Sequence, residues 1–345
     1  MERIRINIGN RTSDVFIGMD WRAVNDMLPS GGLVILTDDN IRSIYGKEFP
    51  DAPVISIKPG EESKNLTTLG TLAQGLLDAG IDRSGFVLGI GGGVVCDIAG
   101  FLASVYMRGI RFGFVSTSLL SQVDASVGGK NAVNVGKVKN ILGCFRQPEF
   151  VICDQKMLKT LPRDEYFSGL AEMIKTAVIL DENLFSSILK NKEKIKTADP
   201  GLLENLIATA VKLKASVVME DEKEVTGKRM ILNFGHTFGH VIEAVTGMKH
   251  GYAVACGMAI ACDISANMGL GSAEEYTTVK SLLNYFDLLP DHGLDADVFQ
   301  KMLLTDKKKE GRKINFVLAG PVGKAEVRKM DVDEIINIYR STKMS

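Results

Sequence analysis

The stretch FVLGIGGGVVCDIAGFLASVY, residues 86–106, decides the fold. Residues 86–90 are apolar without alternation, which predicts a strand buried on both faces of a parallel sheet. Three glycines, Gly91 to Gly93, follow, and residues 94–106 have the periodicity of a helix. Such a turn lets backbone amides approach a pyrophosphate, because glycine has no obstructing side chain. The usual G-x-G-x-x-G spacing is absent, so a simple tight connection is the alternative interpretation.

Other apolar runs on both sides of this stretch predict further strands of the same sheet. They comprise residues 33–37, 54–57, 112–116 and 150–153. Leucines at helical spacing between residues 66 and 77 add the βαβ rhythm of a parallel α/β sheet. Asp38, Glu61 and Lys64 follow strands and offer groups that bind the ribose and phosphates of a dinucleotide. We therefore predict a Rossmann-like dinucleotide-binding domain.

The second half of the chain has a different pattern. From about residue 161 long helical periodicity with charged faces prevails, as in residues 202–219 and 231–246. The Leu161-Pro162 pair interrupts the chain after the strand at 150–153. The sequence thus predicts an α/β domain at residues 1–158 followed by a mostly α-helical domain at residues 159–345.

Composition excludes several classes of partner. Lys and Arg total 41 against 42 Asp and Glu, so no global field attracts the chain to nucleic acid or to an anionic membrane. The five cysteines are scattered without a C-x-x-C pair, which indicates neither a disulfide framework nor a thiolate zinc site. No apolar run approaches the ~20 residues of a membrane span, and the first residues lack a signal-peptide pattern. We expect a cytoplasmic protein with a small-molecule substrate.

Three of the four histidines fall within one short segment. His236 and His240 are four residues apart and share a helical face, and His250 follows a turn at Gly247. Because imidazole is the commonest zinc ligand, the cluster predicts metal binding or acid–base catalysis. His292, in a Pro-Asp-His-Gly turn, has no such company and is interpreted as an ordinary structural residue.

A catalytic zinc usually has three protein ligands, so a carboxylate is expected beside two histidines. The best candidate is Glu172 in the segment GLAEMIK, residues 169–175, where Lys175 lies three residues further along an otherwise apolar helix. The alternative is that Glu172 and Lys175 form a surface ion pair.

Several motifs extend this interpretation through most of the chain. They are GGGVVCD at 91–97, YMRG at 106–109, QVDASVGGK at 122–130, KN at 139–140, DE at 221–222 followed by Arg229, LNFGHTFGH at 232–240, and DKK at 306–308 ahead of a strand at 314–318. Together they closely resemble the motifs of the 3-dehydroquinate synthase family. The resemblance implies an active site in the cleft between the two domains, NAD and Zn²⁺ as cofactors, Co²⁺ as a substitute metal, and a homodimer.

The resemblance also implies a reaction. The substrate is 3-deoxy-D-arabino-heptulosonate 7-phosphate, whose C5 alcohol is oxidised by NAD so that the neighbouring C6 hydrogen becomes acidic and phosphate leaves by β-elimination. The ketone is then reduced again, the ring opens, and an internal aldol addition gives 3-dehydroquinate, an intermediate of the shikimate pathway to aromatic amino acids. NAD therefore ends as it began.

Site residues follow from the same resemblance, position by position. The implied metal ligands are Glu172, His236 and His250, and the implied catalytic residues are His240, Lys175, Asp124 and Lys130. Phosphate is assigned to Lys130, Asn140, Asn233, one of Lys307 and Lys308, and Arg108 from a neighbouring subunit, and the substrate carboxylate to Lys214 and Arg229. NAD is assigned to Asp38, Glu61, Lys64, Gly92, Gly93, Val94, Asp97, Thr117, Ser118, Lys130, Lys139 and Thr160.

The chain departs from the family pattern at two positions. The family usually has His-Gly-Glu where this chain has Tyr252 after His250 and Gly251, and Pro-Thr-Thr where it has Ser116-Thr117-Ser118. The first change removes a carboxylate beside a proposed ligand, which we expect to affect the tuning of the metal.

Three alternative functions remain. A related sugar-phosphate cyclase, of the 2-epi-5-epi-valiolone or 2-deoxy-scyllo-inosose type, acts on a substrate without a carboxylate, so Lys214 and Arg229 argue against it. A metal-dependent polyol dehydrogenase would release NADH, and the DKK motif at 306–308 argues against it. An inactive NAD-binding protein would not need the intact set of ligands.

Overall fold

The computed structural model describes residues 1–9, 11–29, 31–136, 138–305 and 312–343. Contacts divide the chain into two compact units. The first consists of Met1–Pro162 together with Pro200–Lys223, and the second of Arg163–Asp199 together with the chain from Glu224 onward. The sequence predicted one boundary, after residue 158. The chain instead returns to the first unit for residues 200–223.

A seven-stranded sheet forms the centre of the first unit. The strands of this unit are β1 (Glu2–Ile8), β2 (Arg11–Ile17), β3 (Leu33–Asp38), β4 (Val54–Ile57), β5 (Phe86–Gly91), β6 (Arg111–Ser116), β7 (Lys130–Val135), β8 (Val138–Phe145) and β9 (Phe150–Cys153). Strands β7 and β8 form a separate hairpin, and the other seven form the sheet. The order of the sheet is β1-β2-β9-β6-β5-β3-β4. The pairing of β1 with β2 is antiparallel, and the other pairings between neighbours in this sheet are parallel. The parallel pairing of β2, β9, β6, β5, β3 and β4 confirms the predicted sheet, and every residue of β5 and β9 is buried.

Helices belong to both units. They are α1 (Asp39–Tyr45), α2 (Leu66–Asp78), α3 (Gly93–Val105), α4 (Arg163–Leu180), α5 (Glu182–Lys190), α6 (Lys192–Lys196), α7 (Pro200–Glu220), α8 (His236–Thr246), α9 (His250–Asn267), α10 (Ala273–Tyr285), α11 (Ala296–Thr305) and α12 (Val332–Thr342). α1, α2, α3 and α7 lie in the first unit, and the others form the second with the hairpin β10 (Lys313–Ala319) and β11 (Ala325–Asp331). None of the described helices is both long and apolar enough to cross a membrane.

The glycine turn between strand and helix has the predicted form. β5 ends at Gly91, Gly92 adopts an extended conformation as the N-cap, and α3 begins at Gly93. The backbone amide of Thr117, after β6, donates to the carbonyl of Gly91 at 3.0 Å. Two adjacent strands therefore end together at one edge of the sheet, where parallel α/β folds bind ligands.

The hairpin of β7 and β8 packs against α3 through a glycine. A β-carbon on Gly100 would lie 1.9 Å from Oδ1 of Asn131. The buried Asn131 amide donates to the carbonyls of Gly129 and Arg146 at 3.0 and 2.8 Å, so this side chain is fixed on both sides. The hairpin also exposes a set of apolar side chains, and we call the surface that they form the hairpin face. These are Val135, Val138, Ile141, Leu142 and Phe145.

In the second unit, the helix predicted at residues 231–246 is shorter than expected. Residues Lys228–Asn233 form a 3₁₀ turn, and α8 begins only at His236. Gly235 has a φ of 78°, a left-handed conformation that a helix interior does not accept. His236 is therefore the first residue of α8, and His250 is likewise the first residue of α9.

Gly100 and Gly70 provide a matched test of the packing of α3 against the hairpin. Gly100→Ala should destabilise the protein by about 1–3 kcal/mol, because the new methyl group displaces Asn131 from its buried hydrogen bonds. Gly70, in the exposed part of α2, has no atom within 4 Å of the position that a β-carbon would take. Gly70→Ala should stabilise by about 0.5–1 kcal/mol, as alanine favours the helix. Urea unfolding measures both, and equal effects would contradict this packing.

Candidate metal centre and cofactor edge

Helix α4 buries a charged pair within an apolar environment. Glu172 is 1% exposed and Lys175 is 2% exposed. Their charged groups lie 2.5 Å apart, from Lys175 Nζ to Glu172 Oε2. The alternative of a surface ion pair is therefore wrong. Neither carboxylate oxygen of Glu172 has a hydrogen-bond partner of ordinary geometry among the described residues, which is costly for a buried anion unless another partner binds it.

Glycines bring α8 and α9 into close contact. A β-carbon on Gly257 would lie 1.9 Å from the carbonyl oxygen of Gly235, and one on Gly239 would lie 3.0 Å from the carbonyl oxygen of Ala253. Because no side chain separates the two backbones here, the first residues of α8 and α9 can face the same point.

Two histidines converge on the Glu172 carboxylate. His236 Nε2 lies 3.8 Å and His250 Nε2 3.4 Å from Glu172 Oε1. One ligand atom from each of the three residues lies within 4.8 Å of the others. These separations exceed hydrogen-bond lengths but suit three ligands around one cation. The three residues that the sequence assigned to a metal thus form a group that could hold one, and the carboxylate without hydrogen bonds fits a cation.

The charged groups of this cluster shift one another's pKa values. Burial alone would raise the pKa of Glu172, but the Lys175 ammonium and the two imidazoles hold it well below its usual range. Burial and Lys175 lower the pKa of His236, which favours the neutral ring that binds metals. Burial opposes protonation of His250 as well, yet the neighbouring carboxylates of Glu172 and Glu243 raise the pKa of His250 to about 10. A divalent cation would replace that proton in balancing the carboxylates.

The Nδ1 atom of each candidate ligand histidine lies near an oxygen that can accept a hydrogen bond. His236 Nδ1 lies 3.1 Å from the carbonyl oxygen of Phe234, and His250 Nδ1 lies 3.2 Å from Oε2 of Glu243. Such partners leave Nε2 free for a metal. Sequence reasoning missed Glu243, although its place seven residues after His236 puts both on one face of α8.

His240 stands apart from the three ligands. It is exposed on α8, and its ring centroid lies 5.2 Å from that of His236 and 6.3 Å from that of His250. Among the described residues, the group of converging ligand atoms consists of those of Glu172, His236 and His250, without His240. Its role as a proton carrier stays a prediction.

The residues predicted to bind NAD gather at the carboxyl ends of adjacent parallel strands. Asp38 ends β3, Gly92 and Gly93 follow β5, and Thr117 and Ser118 follow β6. The Asp38 carboxylate accepts the Ile41 amide at 2.9 Å as the N-cap of α1, and burial raises the pKa of Asp38. Val94 occupies the first turn of α3. This edge is where a dinucleotide binds in such sheets.

A buried lysine links this edge to the β7–β8 hairpin. Lys64 Nζ lies 2.5 Å from Asp97 Oδ2 on α3 and 2.5 Å from Asn140 Oδ1 on β8. Burial raises the pKa of Asp97, and Lys64 opposes that shift. Asn134 of β7 donates to Glu61 Oε1 at 2.8 Å. Three residues assigned to NAD and one assigned to phosphate thus form one network with Asn134.

A residue assigned to the substrate carboxylate and one assigned to catalysis bind each other in the first unit. Lys214 of α7 forms an ion pair with Asp124 and also donates to the Asp124 carbonyl at 2.6 Å. Asp124 lies in a π-helical turn, Ser121–Ala125, a conformation frequent at functional sites. Lys130 and Lys139 are exposed on the hairpin, and Thr160 bonds to the Tyr45 hydroxyl at 2.7 Å.

Other substrate candidates occupy distinct places. Arg229 is 3% exposed in the turn before α8, and Asn233 in the same turn donates to Glu224 Oε1 at 3.1 Å. Arg108 is exposed after α3 with a φ of 69°. Lys307 and Lys308 lie outside the described residues.

Family models match most of the chain. The N-terminal model of 3-dehydroquinate synthase matches residues 54–168, and the C-terminal model matches residues 169–309. The chain belongs to the 3-dehydroquinate synthase family. A 3-dehydroquinate synthase of Campylobacter concisus is 43% identical over 295 residues, 83% of this chain and 84% of that protein. A 3-dehydroquinate synthase of Thermoanaerobacter pseudethanolicus is 38% identical over an alignment of 357 residues, which covers 99% of this chain and 100% of that protein.

A solved structure shares the whole fold. The 2-epi-5-epi-valiolone synthase of Streptomyces hygroscopicus, with NAD⁺ and Zn²⁺ bound, has a TM-score of 0.89 and 25% identity, and the match covers 98% of both chains. The predicted α/β fold and family are therefore confirmed.

At the departure from the family pattern, Tyr252 is half-buried on α9, two residues after His250. Burial raises the pKa of Tyr252, and the negative charge of Asp164 in the first turn of α4 raises it further. The carboxylate that meets Nδ1 of His250 in this chain is that of Glu243 on α8. At the other departure, the Ser116 hydroxyl is buried at the end of β6 without a hydrogen-bond partner among the described residues.

His236→Ala and His240→Ala should separate metal binding from proton transfer. His236→Ala removes one of three converging ligand atoms, so the purified protein should lose most of its zinc after desalting. His240→Ala should retain zinc, because its ring lies outside the group. Metal analysis of both variants after identical zinc loading checks this, with thermal unfolding as the folding control. Equal zinc loss in the two variants would show that the ligands are assigned wrongly.

Proposed function

We propose that this chain is an NAD- and divalent-metal-dependent 3-dehydroquinate synthase, which converts 3-deoxy-D-arabino-heptulosonate 7-phosphate to 3-dehydroquinate and phosphate. The observation that carries the proposal is the convergence of Glu172, His236 and His250 in a chain of this family. The reaction is an oxidation at C5, loss of phosphate, reduction, ring opening and aldol addition, so it needs a hydride carrier, a Lewis acid and a proton carrier.

The metal centre suits this chemistry. A bound divalent ion supplies Lewis acidity towards the reacting alcohol and ketone oxygens. Glu172, His236 and His250 would hold it and leave a position for substrate, as catalytic zinc sites do. We assign proton transfer to His240, and its exposure beside His236 supports this role.

The edge formed by β3, β5 and β6 supports NAD binding. NAD bound at this edge would supply the reversible hydride chemistry that the reaction needs at C5. The amides at the start of α3, with glycine at its first position and N-cap, would meet the pyrophosphate without a side chain in the way. Asp38, half-buried at the end of β3, would accept hydrogen bonds from a ribose. The NAD⁺ bound to the valiolone synthase is a further support.

The anionic ends of the substrate need cations, which fix a flexible carbon chain in a reactive conformation. We assign the phosphate to Lys130, Asn140, Asn233 and Arg108, with Lys307 or Lys308 outside the described residues. We assign the carboxylate to Arg229 and Lys214. Lys214 forms an ion pair with Asp124, so replacing Lys214 would also disturb a residue assigned to catalysis, and the test uses Arg229.

We also propose that the chain forms a homodimer to which Arg108 contributes across the interface. The hairpin face exposes 38–51% of each of its five apolar residues. Met107 and Arg108 both have left-handed backbone conformations, with φ of 47° and 69°, which are strained for residues with side chains. A second copy that covers the hairpin face would remove apolar surface from water and give Arg108 a site to enter.

The decisive assay follows product formation with limiting NAD. Purified protein, zinc and the heptulosonate phosphate should release phosphate and 3-dehydroquinate many times per NAD, because the hydride returns within each cycle. Chelation should abolish turnover, and zinc or cobalt should restore it. NADH that accumulates in step with product would instead identify a dehydrogenase, and full activity of the metal-free protein would exclude the metal centre.

Arg229→Ala tests the identity of the substrate. Loss of a charge-assisted bond to the carboxylate, typically about 1.5–3 kcal/mol, should lower kcat/KM at least about tenfold for the heptulosonate phosphate. Sedoheptulose 7-phosphate, which lacks the carboxylate, should be affected little. Arg229→Lys should fall between, since it keeps the charge without the planar fork.

The control for Arg229 is thermal unfolding of each variant. Equal losses for the two substrates together with a lower Tm would assign Arg229 to the fold alone. A preference of the unsubstituted enzyme for sedoheptulose 7-phosphate would make it a valiolone-type cyclase.

A further inference from the structure

One carboxylate of the second unit meets the candidate metal centre without being among its three ligands. His250 Nε2 points to Glu172 Oε1 at 3.4 Å, and its Nδ1 points to Glu243 Oε2 at 3.2 Å. A neutral imidazole carries hydrogen on only one nitrogen. If Nδ1 carries it and donates to Glu243, the lone pair of Nε2 is free for a cation.

The position of Glu243 is well fixed. It lies two helical turns after His236 on α8, so both residues face the same side. Its carbonyl accepts the amide of Gly247 at 3.0 Å, which closes the end of α8. The Glu243 side chain is only 12% exposed. Glu243 is therefore a partly buried anion at a rigid helix end, and His250 is its ionisable neighbour.

The backbone of His250 is held independently by α4. Lys249 pairs with Asp164 and Glu165, the latter at 2.6 Å. The amide of Gly251 donates to Ser168 Oγ at 3.0 Å, and a β-carbon on Gly251 would lie 2.0 Å from the Ser168 carbonyl oxygen. These contacts fix the main chain on both sides of His250. They leave the rotation of its ring undetermined.

We propose that Glu243 is a positioning residue that fixes the ring of His250 and its Nδ1–H tautomer, and so sets the affinity of the metal centre. The inference rests on the proposed function, because it assumes that Glu172, His236 and His250 bind a metal. It goes beyond it in assigning the outer partner of His250 to α8. His236 differs, since a backbone carbonyl holds its Nδ1.

The experiment compares metal affinity in Glu243→Ala, Glu243→Gln and Glu274→Ala. Glu274 is an exposed glutamate in the first turn of α10 and serves as the matched control. Zn²⁺ and Co²⁺ affinities are measured by competition with a chromophoric chelator. Glu243→Ala should weaken binding about 10–100-fold, the usual cost of losing such a partner. Glu243→Gln keeps an acceptor oxygen but loses the charge, so it should weaken binding by a smaller factor, and Glu274→Ala should not change it.

A second measurement excludes a merely structural role. The Co²⁺ absorption spectrum of Glu243→Ala should change in position or intensity, because the His250 ring is no longer fixed. The metal-free variant should still unfold cooperatively, with a Tm lowered only modestly by the loss of the Glu243–His250 contact. Unchanged affinity in either Glu243 variant would overturn the inference. So would a large fall of the metal-free Tm with an unaltered cobalt spectrum. Failure of the parent protein itself to bind Zn²⁺ or Co²⁺ would instead refute the proposed metal centre.

Discussion

The close packing of α9 against both α8 and α4 is the constraint on which the candidate metal centre depends. Gly257 and Gly251 have no room for a side chain against the carbonyl oxygens of Gly235 and Ser168. These contacts bring the first residues of two helices to one carboxylate on a third. Since each ligand comes from a different helix, an error of one helical position in packing would separate them. Rigid elements rather than loops thus hold the site.

The buried carboxylate of Glu172 on α4 makes this arrangement energetically unfavourable in the absence of a cation. An anion without hydrogen bonds in an apolar interior normally destabilises a fold by several kcal/mol. Lys175 compensates part of the charge of Glu172 at 2.5 Å. The two imidazoles face the other oxygen at distances too long for hydrogen bonds. The geometry is thus better explained by cation binding than by stability, in keeping with the clustering of strained groups at functional sites.

Local patterns made much of this structure predictable. The apolar run before Gly91 identified a buried strand, because strands covered on both faces do not alternate. The histidine cluster and Glu172 became candidates because the histidines are close in sequence and Glu172 interrupts an apolar helix, whereas the choice of His236 and His250 over His240 came from the resemblance to the family. Glu243 was missed because a glutamate on an amphipathic helix usually belongs to the solvent-exposed face, and its position two turns after His236 did not distinguish it from such a residue. The start of α8 was misplaced because only the left-handed Gly235 separates it from a helix-like segment. The Lys214–Asp124 pair joins residues 90 positions apart, a contact that periodicity does not report.

Helix α7 belongs to the first unit although it follows part of the second unit in sequence, and this limits how such a chain can be divided or recombined. α7 lies within the residues matched by the C-terminal family model, yet it packs in the unit that carries the seven-stranded sheet. A fragment cut near residue 160 would lose α7, and Asp124 would lose Lys214. A single crossover between two diverged genes at that point would pair a sheet from one parent with a helix from the other. The sequence halves of this protein are therefore not exchangeable modules, and substitutions on the contacts of α7 must be inherited together across the linear boundary.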